Sequence, residues 1–532
     1  MSTEGREDRQ RRRPWPRLLA RPSLPLPRHD PDRRTEPIAS GSEWTIGTLE
    51  RFDKALARHA RGFGLETRPV QYELITASQM IDLVSTAGMP VHYPHWSFGR
   101  HLLSQEHGYK RGLTGLAYEI VINTDPAIAY LMETNTLALQ VLVMAHAGYG
   151  HNAFFRNNYL FRQFTQADAI LDYLQFARGY LQQCEQRYGW REVETLLDCC
   201  HALAPWGVDR YTRPARLSVA RERERLRDRL DFAEKHYNPD FAHLHIDPTR
   251  TAGAESEEAE DSPFEPQENL LYFIEKRAPR LPPWQREVVR IVRKVAQYFY
   301  PQRLTKVANE GAATFWHATL LHALYDAGEV DDGFMIEWLS NHAGVVEQPA
   351  YDSPHFSGIN PYALGHSIYR DIRRICEQPD DEDRQWFPRL AGSDWREGIH
   401  FAMANFKDES LIEQYLSPRV MRDMRLFLLH EGESDRKNYE VRAIHNEAGY
   451  VRLRQSLAAQ MRPERHTPTL LVARANDDAE RALLLQHPVE DGRLLDTSDV
   501  TQILAYVKQL WSFDVVLEET APDGQRLKIH RT

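Results

Sequence analysis

Residues 141–161 read VLVMAHAGYGHNAFFRNNYLF and hold the pattern that most constrains the fold. The stretch predicts a buried helix, yet it contains His146 and His151, five positions apart, with Gly148 and Gly150 between them. At ~100° per residue a five-residue step turns a side chain by ~140°, so a regular α-helix would not aim both imidazoles at one point. A π-bulge, which the glycines permit, closes between residues i and i+5 and brings the side chains to nearly one face. We therefore predict that both histidines serve one site, with plain core histidines as the alternative.

Helical spacing of apolar residues continues along most of the chain. It begins near Ser42 and recurs in segments that start at Trp284, Asn309, Asp331, Pro361 and Asp408. Beyond about Glu431 the pattern changes to β-rich runs at 439–446, 449–460, 467–476, 481–488 and 513–519, around one helix at 499–511. These patterns predict a mainly α protein: a large helical domain with a few short strands, followed by a small α+β C-terminal domain.

Composition divides the chain into five regions. Residues 1–41 are rich in Arg and Pro, which predicts a disordered basic tail. Residues 42–250 form the first part of the helical core, in which YEIVINT at 118–124 is an edge-strand candidate. An acidic linker at 251–268 separates this part from the second part at 269–430, and the small α+β domain takes residues 431–532.

Charge, hydropathy and cysteine content argue against a nucleic-acid binder, a membrane-spanning protein and a thiolate zinc protein. The formal net charge of −10 argues against a nucleic-acid binder, because phosphate contacts require a cationic surface. The longest strongly apolar stretch is shorter than the ~20 residues that a membrane span needs. Four cysteines without a CxxC motif indicate free thiols in a reducing compartment and argue against a thiolate zinc site. We expect a cytoplasmic protein.

A second group of candidate site residues lies in NEGAATFWH at 309–317. Glu310 and His317 are seven positions apart, hence on one helix face, but ~10.5 Å apart along the axis, which is too far for easy co-ligation. We assign Glu310 as a metal ligand together with His146 and His151, and His317 as a catalytic proton-transfer group or an outer neighbour of the ligands. A salt bridge from Glu310 to a buried arginine is the alternative.

Four further residues are candidates for lining this site. Asn152 directly follows His151, and Asn309 directly precedes Glu310. His92 and His95 lie in HYPHWSFG, a proline-containing loop that is either part of a site or a packed corner.

Several long motifs resemble the SpoVR family, named for stage V sporulation protein R. They include the stretch from YEIVINT to NNYLF, HYPHWSFG, the stretch from WQREVV to TFWH, SGINPYALG, DIRRICEQP, AGSDW and FAMANFKDESLIEQYLSPR. The resemblance runs from about Ser42 to the C-terminus. Two departures stand out: Ala312 occupies a position where the family usually has Trp, and Trp206 one where it usually has His. The proposed metal group is intact.

The family resemblance implies a role in spore cortex formation, or in a bacterial stress response in species that use the protein outside sporulation. It also implies partners, since relatives are often encoded beside an AAA+-type serine protein kinase and a third, associated protein. None of this follows from composition or spacing.

A separate resemblance concerns the order of the site residues. Two helix histidines followed much later by an Asn-Glu-Gly helix are similar to the zinc site of gluzincin metallopeptidases. This similarity implies one divalent metal ion, zinc before others, with the candidate strand at 118–124 beside the cleft. The histidine spacing is one residue longer here, and Ala147 replaces the glutamate that is catalytic in those enzymes. A hydrolase of this kind needs another general base, and Glu119 and Glu133 are the candidates.

Two functions are therefore open. The first is a metal-dependent hydrolase that acts on a peptide or a cell-wall-related substrate. The second is a non-catalytic regulator or adaptor in a kinase-linked stress pathway, in which the His/Glu cluster only ties helices together.

Overall fold

The computed structural model describes residues 36–96, 119–211 and 267–532, except positions 87, 351–352, 354–355, 357, 428, 432–438, 442–445, 476–480 and 491. Helices dominate these residues and a small α+β region ends the chain, which confirms the predicted fold class. Most of the predicted tail at 1–41 and of the acidic linker at 251–268 lies outside the described residues. The predicted domain boundaries stay a prediction.

The N-terminal elements include three short strands before Leu137 and are helical from there to Trp206. They are α1 (Ile46–Gly62), β1 (Val70–Ile75), α2 (Ala77–Ser85), β2 (Glu119–Ile122), β3 (Ala127–Met132), α3 (Leu137–Val143), a π-helix (Met144–His151), α4 (Asn152–Asn157), α5 (Tyr159–Phe164), α6 (Ile170–Tyr188), α7 (Trp190–Leu203) and a 3-10 turn (Ala204–Trp206).

The second part is helical until the C-terminal sheet. Its helices are α8 (Leu270–Arg277), α9 (Pro283–Leu304), α10 (Lys306–Asp326), α11 (Asp332–Val345), α12 (Pro361–Glu377), α13 (Asp381–Trp386), α14 (Trp395–Asn405), α15 (Asp408–Tyr415) and α16 (Pro418–Asp423). The remaining elements are β4 (Leu429–Glu431), β5 (Tyr439–Val441), α17 (Glu447–Gln460), α18 (Pro463–His466), β6 (Leu471–Ala475), β7 (Leu483–Pro488), α19 (Thr497–Trp511), β8 (Val515–Thr520) and β9 (Arg526–Arg531).

A three-stranded sheet in the order β1-β3-β2 separates two hydrophobic cores. The central strand β3 alternates between them: Ala129 and Leu131 belong to the first core, and Tyr130 and Met132 to the second. The sequence of β3 carries no strand signal, because a strand that is buried on both faces has no polar alternation. The candidate edge strand at 118–124 contains β2, which pairs antiparallel with β3 and places Glu119 opposite Leu131.

The two cores use different parts of the chain. Buried side chains of α1, α3, the π-helix, α10, α12, α14 and α17 build the first core. The second core is built by α2, α6 to α9, the strands β6, β7 and β8, and α19. Since the π-helix and α10 carry the candidate ligands, the site belongs to the first core. None of the described helices is long and apolar enough to cross a membrane.

One predicted β-rich run, 449–460, is wrong, because these residues lie in helix α17. Asn446 caps this helix by accepting a hydrogen bond from the backbone N–H of Gly449 at 2.8 Å. Leu453 and Leu457, four positions apart, are both buried in the first core. The capping asparagine and this spacing are helix signals, and the valine and tyrosine of the same run obscured them.

Glycines allow the π-helix, α10 and α12 to approach closely. A Cβ atom on Gly150 would lie 2.6 Å from the Cα of Ala313 in α10. On the other side of α10, a Cβ on Gly311 would lie 2.4 Å from the Cα of Gly365 in α12. Side chains at these positions would force the helices apart, so the glycines set the distance between the elements that carry the histidines and Glu310.

A buried carboxyl group caps the N-terminus of α10. Asp408 Oδ1 accepts a hydrogen bond from the backbone N–H of Ala308 at 2.8 Å. Burial raises the pKa of Asp408 to about 7, although the backbone N–H groups of the first turn oppose that shift.

We predict that Gly150→Ala destabilises the protein by about 1–3 kcal/mol, because the new methyl group overpacks the contact with α10. Gly179→Ala in α6 is the matched control, since a Cβ at Gly179 meets nothing within 4 Å. In a helix interior that change should be neutral or stabilise by up to about 1 kcal/mol. Urea unfolding of both variants measures the difference, and equal stability would contradict the packing argument.

Asp408 should make stability depend on pH in a defined direction. Its pKa of about 7 in the folded state exceeds the ~3.9 of an unfolded aspartate, so the folded state binds the extra proton between these values. The unfolding free energy should therefore fall as pH rises from about 4 to about 7, by at most about 1.4 kcal/mol per pH unit. Asp408→Asn keeps an acceptor for Ala308 but does not titrate. In urea unfolding from pH 4.5 to 7.5, the variant should gain stability relative to wild type, and a constant difference would contradict the assignment.

Candidate metal centre

Three elements bring the candidate ligands together. The π-helix spans Met144–His151, as the glycine-spaced histidines predicted, and places the ring centroids of His146 and His151 4.6 Å apart. The edge strand β2 contributes Glu119, and α10 contributes Glu310. The structure thus brings His146, His151 and Glu310 to one place, and it adds Glu119 to them.

The distances between donor atoms suit a single metal ion. His146 Nε2 lies 3.0 Å from Glu119 Oε1 and 3.8 Å from Glu310 Oε2. His151 Nε2 lies 3.9 Å from Glu119 Oε1 and 3.3 Å from Glu310 Oε2. Two ligands of a tetrahedral zinc ion with bonds of ~2.0–2.1 Å lie about 3.3 Å apart, a value within the range of these four distances. One donor atom each from Glu119, His146 and His151 lies within 4.8 Å of the others.

Two of the donor atoms lack a hydrogen bond in the part of the chain that the structure describes. They are His146 Nε2 and Glu310 Oε2, and both are buried. Although His146 Nε2 is only 3.0 Å from Glu119 Oε1, the pair does not have hydrogen-bond geometry. Buried polar atoms are usually satisfied, and orphaned ones call for an explanation. A cation between the two atoms would satisfy both, so the residues fit a metal ion.

The opposite edge of each imidazole is held by a polar side chain. His151 Nδ1 lies 2.9 Å from Asn309 Oδ1, and His146 Nδ1 lies 2.7 Å from His317 Nδ1. Such contacts fix the orientation of ligating imidazoles. Asn152, by contrast, bonds the backbone N–H and C=O of Arg68, at 2.9 and 2.8 Å. Of the two candidate asparagines, only Asn309 contacts the ring of a proposed ligand.

Charges within the cluster shift the ionisation of its members. Burial alone would lower the pKa of His146, but the negative charges of Glu119 and Glu310 outweigh it and raise the pKa to about 9. Burial alone would raise the pKa of Glu310, but the adjacent His151 and His146 hold it well below its ordinary value. Without a metal, the cluster therefore favours a protonated His146 beside an ionised Glu310, and a metal ion must displace that proton.

A histidine chain leads away from the site. Beyond His146, His317 Nε2 lies 2.8 Å from His342 Nδ1 in α11, and the ring of His366 in α12 lies 5.1 Å from that of His342. Burial, together with the neighbouring imidazoles, holds the pKa of His317 well below its ordinary value. Burial likewise lowers the pKa of His342 to about 4 and that of His366 to about 3. Burial therefore disfavours a positive charge on all three imidazoles.

Three sequence candidates lie elsewhere. Glu133 is exposed just after β3, and no described hydrogen bond or ion pair joins its side chain to the candidate ligands. His95 Nε2 contacts Asp198 Oδ1 at 3.1 Å, and its ring stacks on that of His201 at 4.4 Å. His92 bonds the carbonyl of Tyr93 at 3.1 Å. The described contacts place His92 beside Tyr93 and His95 against α7, and both histidines line a cavity of about 610 Å³. The lining of this cavity includes none of the candidate metal ligands.

Two residues of the site had not been predicted. The Tyr362 ring in α12 lies 6.3 Å from that of His146, and burial together with the charges of Glu310 and Glu119 raises the pKa of its phenol well above the ordinary value. Its only sequence signal is the motif SGINPYALG. The other, His342, lies four positions after Trp338 in a helical segment, and nothing in that spacing indicates a link to His317.

At the position where the family usually has His, Trp206 donates its indole N–H to the carbonyl of Pro468 at 2.7 Å.

Comparisons with known proteins agree with the motifs. Residues 43–466 match the family described as SpoVR like protein, and residues 468–522 match the SpoVR-like C-terminal domain. The chain is 50% identical over 494 residues to a protein from Escherichia coli (strain K12) described as "Uncharacterized protein YcgB", covering 93% of this chain and 96% of that protein. No solved structure matches the chain. With the two family models together matching nearly the whole chain, the chain belongs to the SpoVR family.

Proposed function

We propose that this SpoVR protein binds one divalent metal ion through His146, His151 and Glu310 and acts as a metal-dependent hydrolase. The observation that carries the proposal is the pair of buried atoms without hydrogen bonds, His146 Nε2 and Glu310 Oε2, at 3.8 Å from each other. Two imidazoles and a carboxylate suit zinc, and three protein ligands leave a position for water or substrate.

Glu119 is the general base of this proposal. When bound, a zinc ion lowers the pKa of a water molecule and polarises a carbonyl group. The Glu119 carboxylate is 23% exposed, more than either histidine, and can take a proton at Oε1. In this role Glu119 would replace the catalytic helix glutamate of gluzincin metallopeptidases, at whose position this chain has Ala147. Glu133 is too exposed, and too poorly connected to the cluster, to be an equal candidate.

The edge strand supports a peptide or a cell-wall-related peptide as the substrate. Within the described residues β2 pairs on one side only, with β3. An exposed strand edge can bind an extended peptide through backbone hydrogen bonds. Because Glu119 is the first residue of β2, a peptide bound along this edge would pass beside the proposed metal ligands.

A second function, that of a non-catalytic regulator or adaptor, is favoured by one distance. Glu119 Oε1 lies 3.0 Å from His146 Nε2, which suits a fourth ligand as well as a base. Four protein ligands would close a tetrahedral zinc site, and closed sites are structural. In that case the ion would tie β2, the π-helix and α10 together without chemistry.

The proposed cellular role rests on family membership. The SpoVR name links the family to sporulation, and the resemblance extends this link to spore cortex formation or a stress response. We place the protein in the cytoplasm, with an AAA+-type serine protein kinase and its associated protein as partners. Co-purification of the kinase with the tagged full chain tests the partnership.

Metal binding predicts a specific response to a chelator. Purified wild type should contain about one equivalent of zinc by elemental analysis, and a chelator should lower its melting temperature, because a bound ion stabilises only the folded state. His151→Gln should lose the metal, keep its helical circular dichroism and melt as chelated wild type does, since an amide binds a divalent ion far more weakly than imidazole. A wild-type melt that ignores chelator, with a variant destabilised by about 1–3 kcal/mol, would show a core histidine instead.

Glu119→Gln separates the two functions. If Glu119 is the base, the variant should retain its zinc but lose hydrolysis of cell-wall peptides, followed by mass spectrometry, by a factor of about 100 or more. If Glu119 is a fourth ligand, the variant should lose zinc as His151→Gln does, and the adaptor function would then lead. Glu133→Gln is the matched control and should change neither quantity.

A further inference from the structure

The outer contacts of the two proposed ligand histidines differ in kind. His151 Nδ1 faces the amide oxygen of Asn309, whereas His146 Nδ1 faces another imidazole nitrogen, Nδ1 of His317, at 2.7 Å. His317 in turn faces Nδ1 of His342 at 2.8 Å through its own Nε2. Three imidazoles on the π-helix, α10 and α11 thus form one line of ring-nitrogen contacts that ends on the ligand side at His146 Nε2.

A contact between two ring nitrogens constrains where the protons lie. A hydrogen bond needs one nitrogen with a proton and one without, so a neutral His317 can accept at one ring nitrogen only if it donates at the other. His146 Nε2 is the atom that faces Glu119 and Glu310, and metal coordination requires its lone pair. The proton of His146 must then be on Nδ1, and it is donated to His317 Nδ1.

The direction of hydrogen-bond donation continues from His317 to His342. Because His317 Nδ1 accepts, the proton of His317 is on Nε2 and is donated to His342 Nδ1. His342 therefore carries its own proton on Nε2. Its ring is held by stacking on Trp338, with centroids 5.4 Å apart and planes 30° apart. His342 is partly exposed, so the line ends near the protein surface.

We propose that His317 and His342 are positioning residues that keep His146 protonated on Nδ1 and aim its Nε2 lone pair at the metal ion. This inference rests on the metal site proposed above. Of the two roles predicted for His317, a catalytic proton-transfer group and an outer neighbour of the ligands, it favours the second, in which His317 acts through a ligand.

Neutral partners also determine the charge around the ion. In the described structure the ring nitrogens of His317 contact only imidazoles, and His317 is 1% exposed. A carboxylate in that place would increase the basicity of His146 and reduce the positive charge of the bound ion. With imidazole and amide acceptors behind both histidines, Glu119 and Glu310 are the carboxylates of the described cluster that would offset the charge of a bound metal ion, and its power to polarise a substrate would be preserved.

A matched pair of variants tests the inference. His317→Gln keeps one acceptor oxygen and one donor N–H group, while His317→Leu fills the space but can neither accept nor donate. The measurement is the zinc dissociation constant, from competition with a chromophoric chelator. His317→Leu should bind zinc about 10–100-fold more weakly than wild type, the usual loss for an outer-layer partner. His317→Gln should lie within about threefold of wild type, since Asn309 already supplies such an amide to His151.

Control measurements distinguish a lost hydrogen bond from a folding defect and from the absence of a metal site. Circular dichroism and zinc-free melting identify folding defects, and rescue by Gln but not Leu is expected only if the hydrogen bonds matter. Equal zinc affinity for the Gln and Leu variants, with wild type binding zinc, would overturn the inference and leave the metal site in place. A wild type that binds no zinc would overturn the proposed function and this inference with it.

The tautomers can also be observed directly. In zinc-bound protein with 15N-labelled histidine rings, the NMR signals lost in His317→Gln belong to His317, and they should show the form protonated on Nε2. A His317 protonated on Nδ1 would contradict the proposed direction. His342→Leu should weaken zinc binding less than His317→Leu, with His342→Gln restoring it, because His342 acts one residue further from the ion.

Discussion

The architecture depends on two acidic side chains placed beside two imidazoles between the π-helix and α10. Glu119 and Glu310 are each about one-fifth exposed, while the imidazole edges that face them lie inside the first core. Holding charged groups there is costly unless each finds a partner of opposite charge. The other features of this region serve that requirement: the π-helix aligns the histidines, and the edge strand supplies the second carboxylate.

Close packing of the helices brings the histidines and Glu310 together, and it leaves little space for larger side chains at the helix contacts. The π-helix approaches α10 through Gly150, and α10 approaches α12 through Gly311 and Gly365. Such contacts leave no room for relaxation around Glu310, which lies next to Gly311. The neutral side chains behind the site, Asn309 and His317, then supply hydrogen bonds without adding charge to a region that already holds two carboxylates.

How far the sequence predicts this site depends on whether a contact is local. His146 and His151 could be paired from their spacing and from the glycines between them, and Glu310 stood out as an acidic residue in an apolar helix. The tertiary contacts of Tyr362 and His342 join helices far apart in the chain, so no periodicity reveals them. Among the elements, β1 and β3 were missed, β3 because both its faces are buried, and α17 was misread because β-branched and aromatic residues interrupt its helical pattern.

The order of the proposed metal-binding residues along the chain affects when the cluster can form during synthesis. Glu119 and the two histidines leave the ribosome well before Glu310, and the pairing of such distant segments is a late and slow step of folding. Until α10 is made and docked, the nascent chain lacks one of its carboxylates and the helix that closes the cluster. An ion with high affinity for the finished cluster would therefore bind only molecules in which these two segments have already docked, so its incorporation would record that this step of folding has occurred.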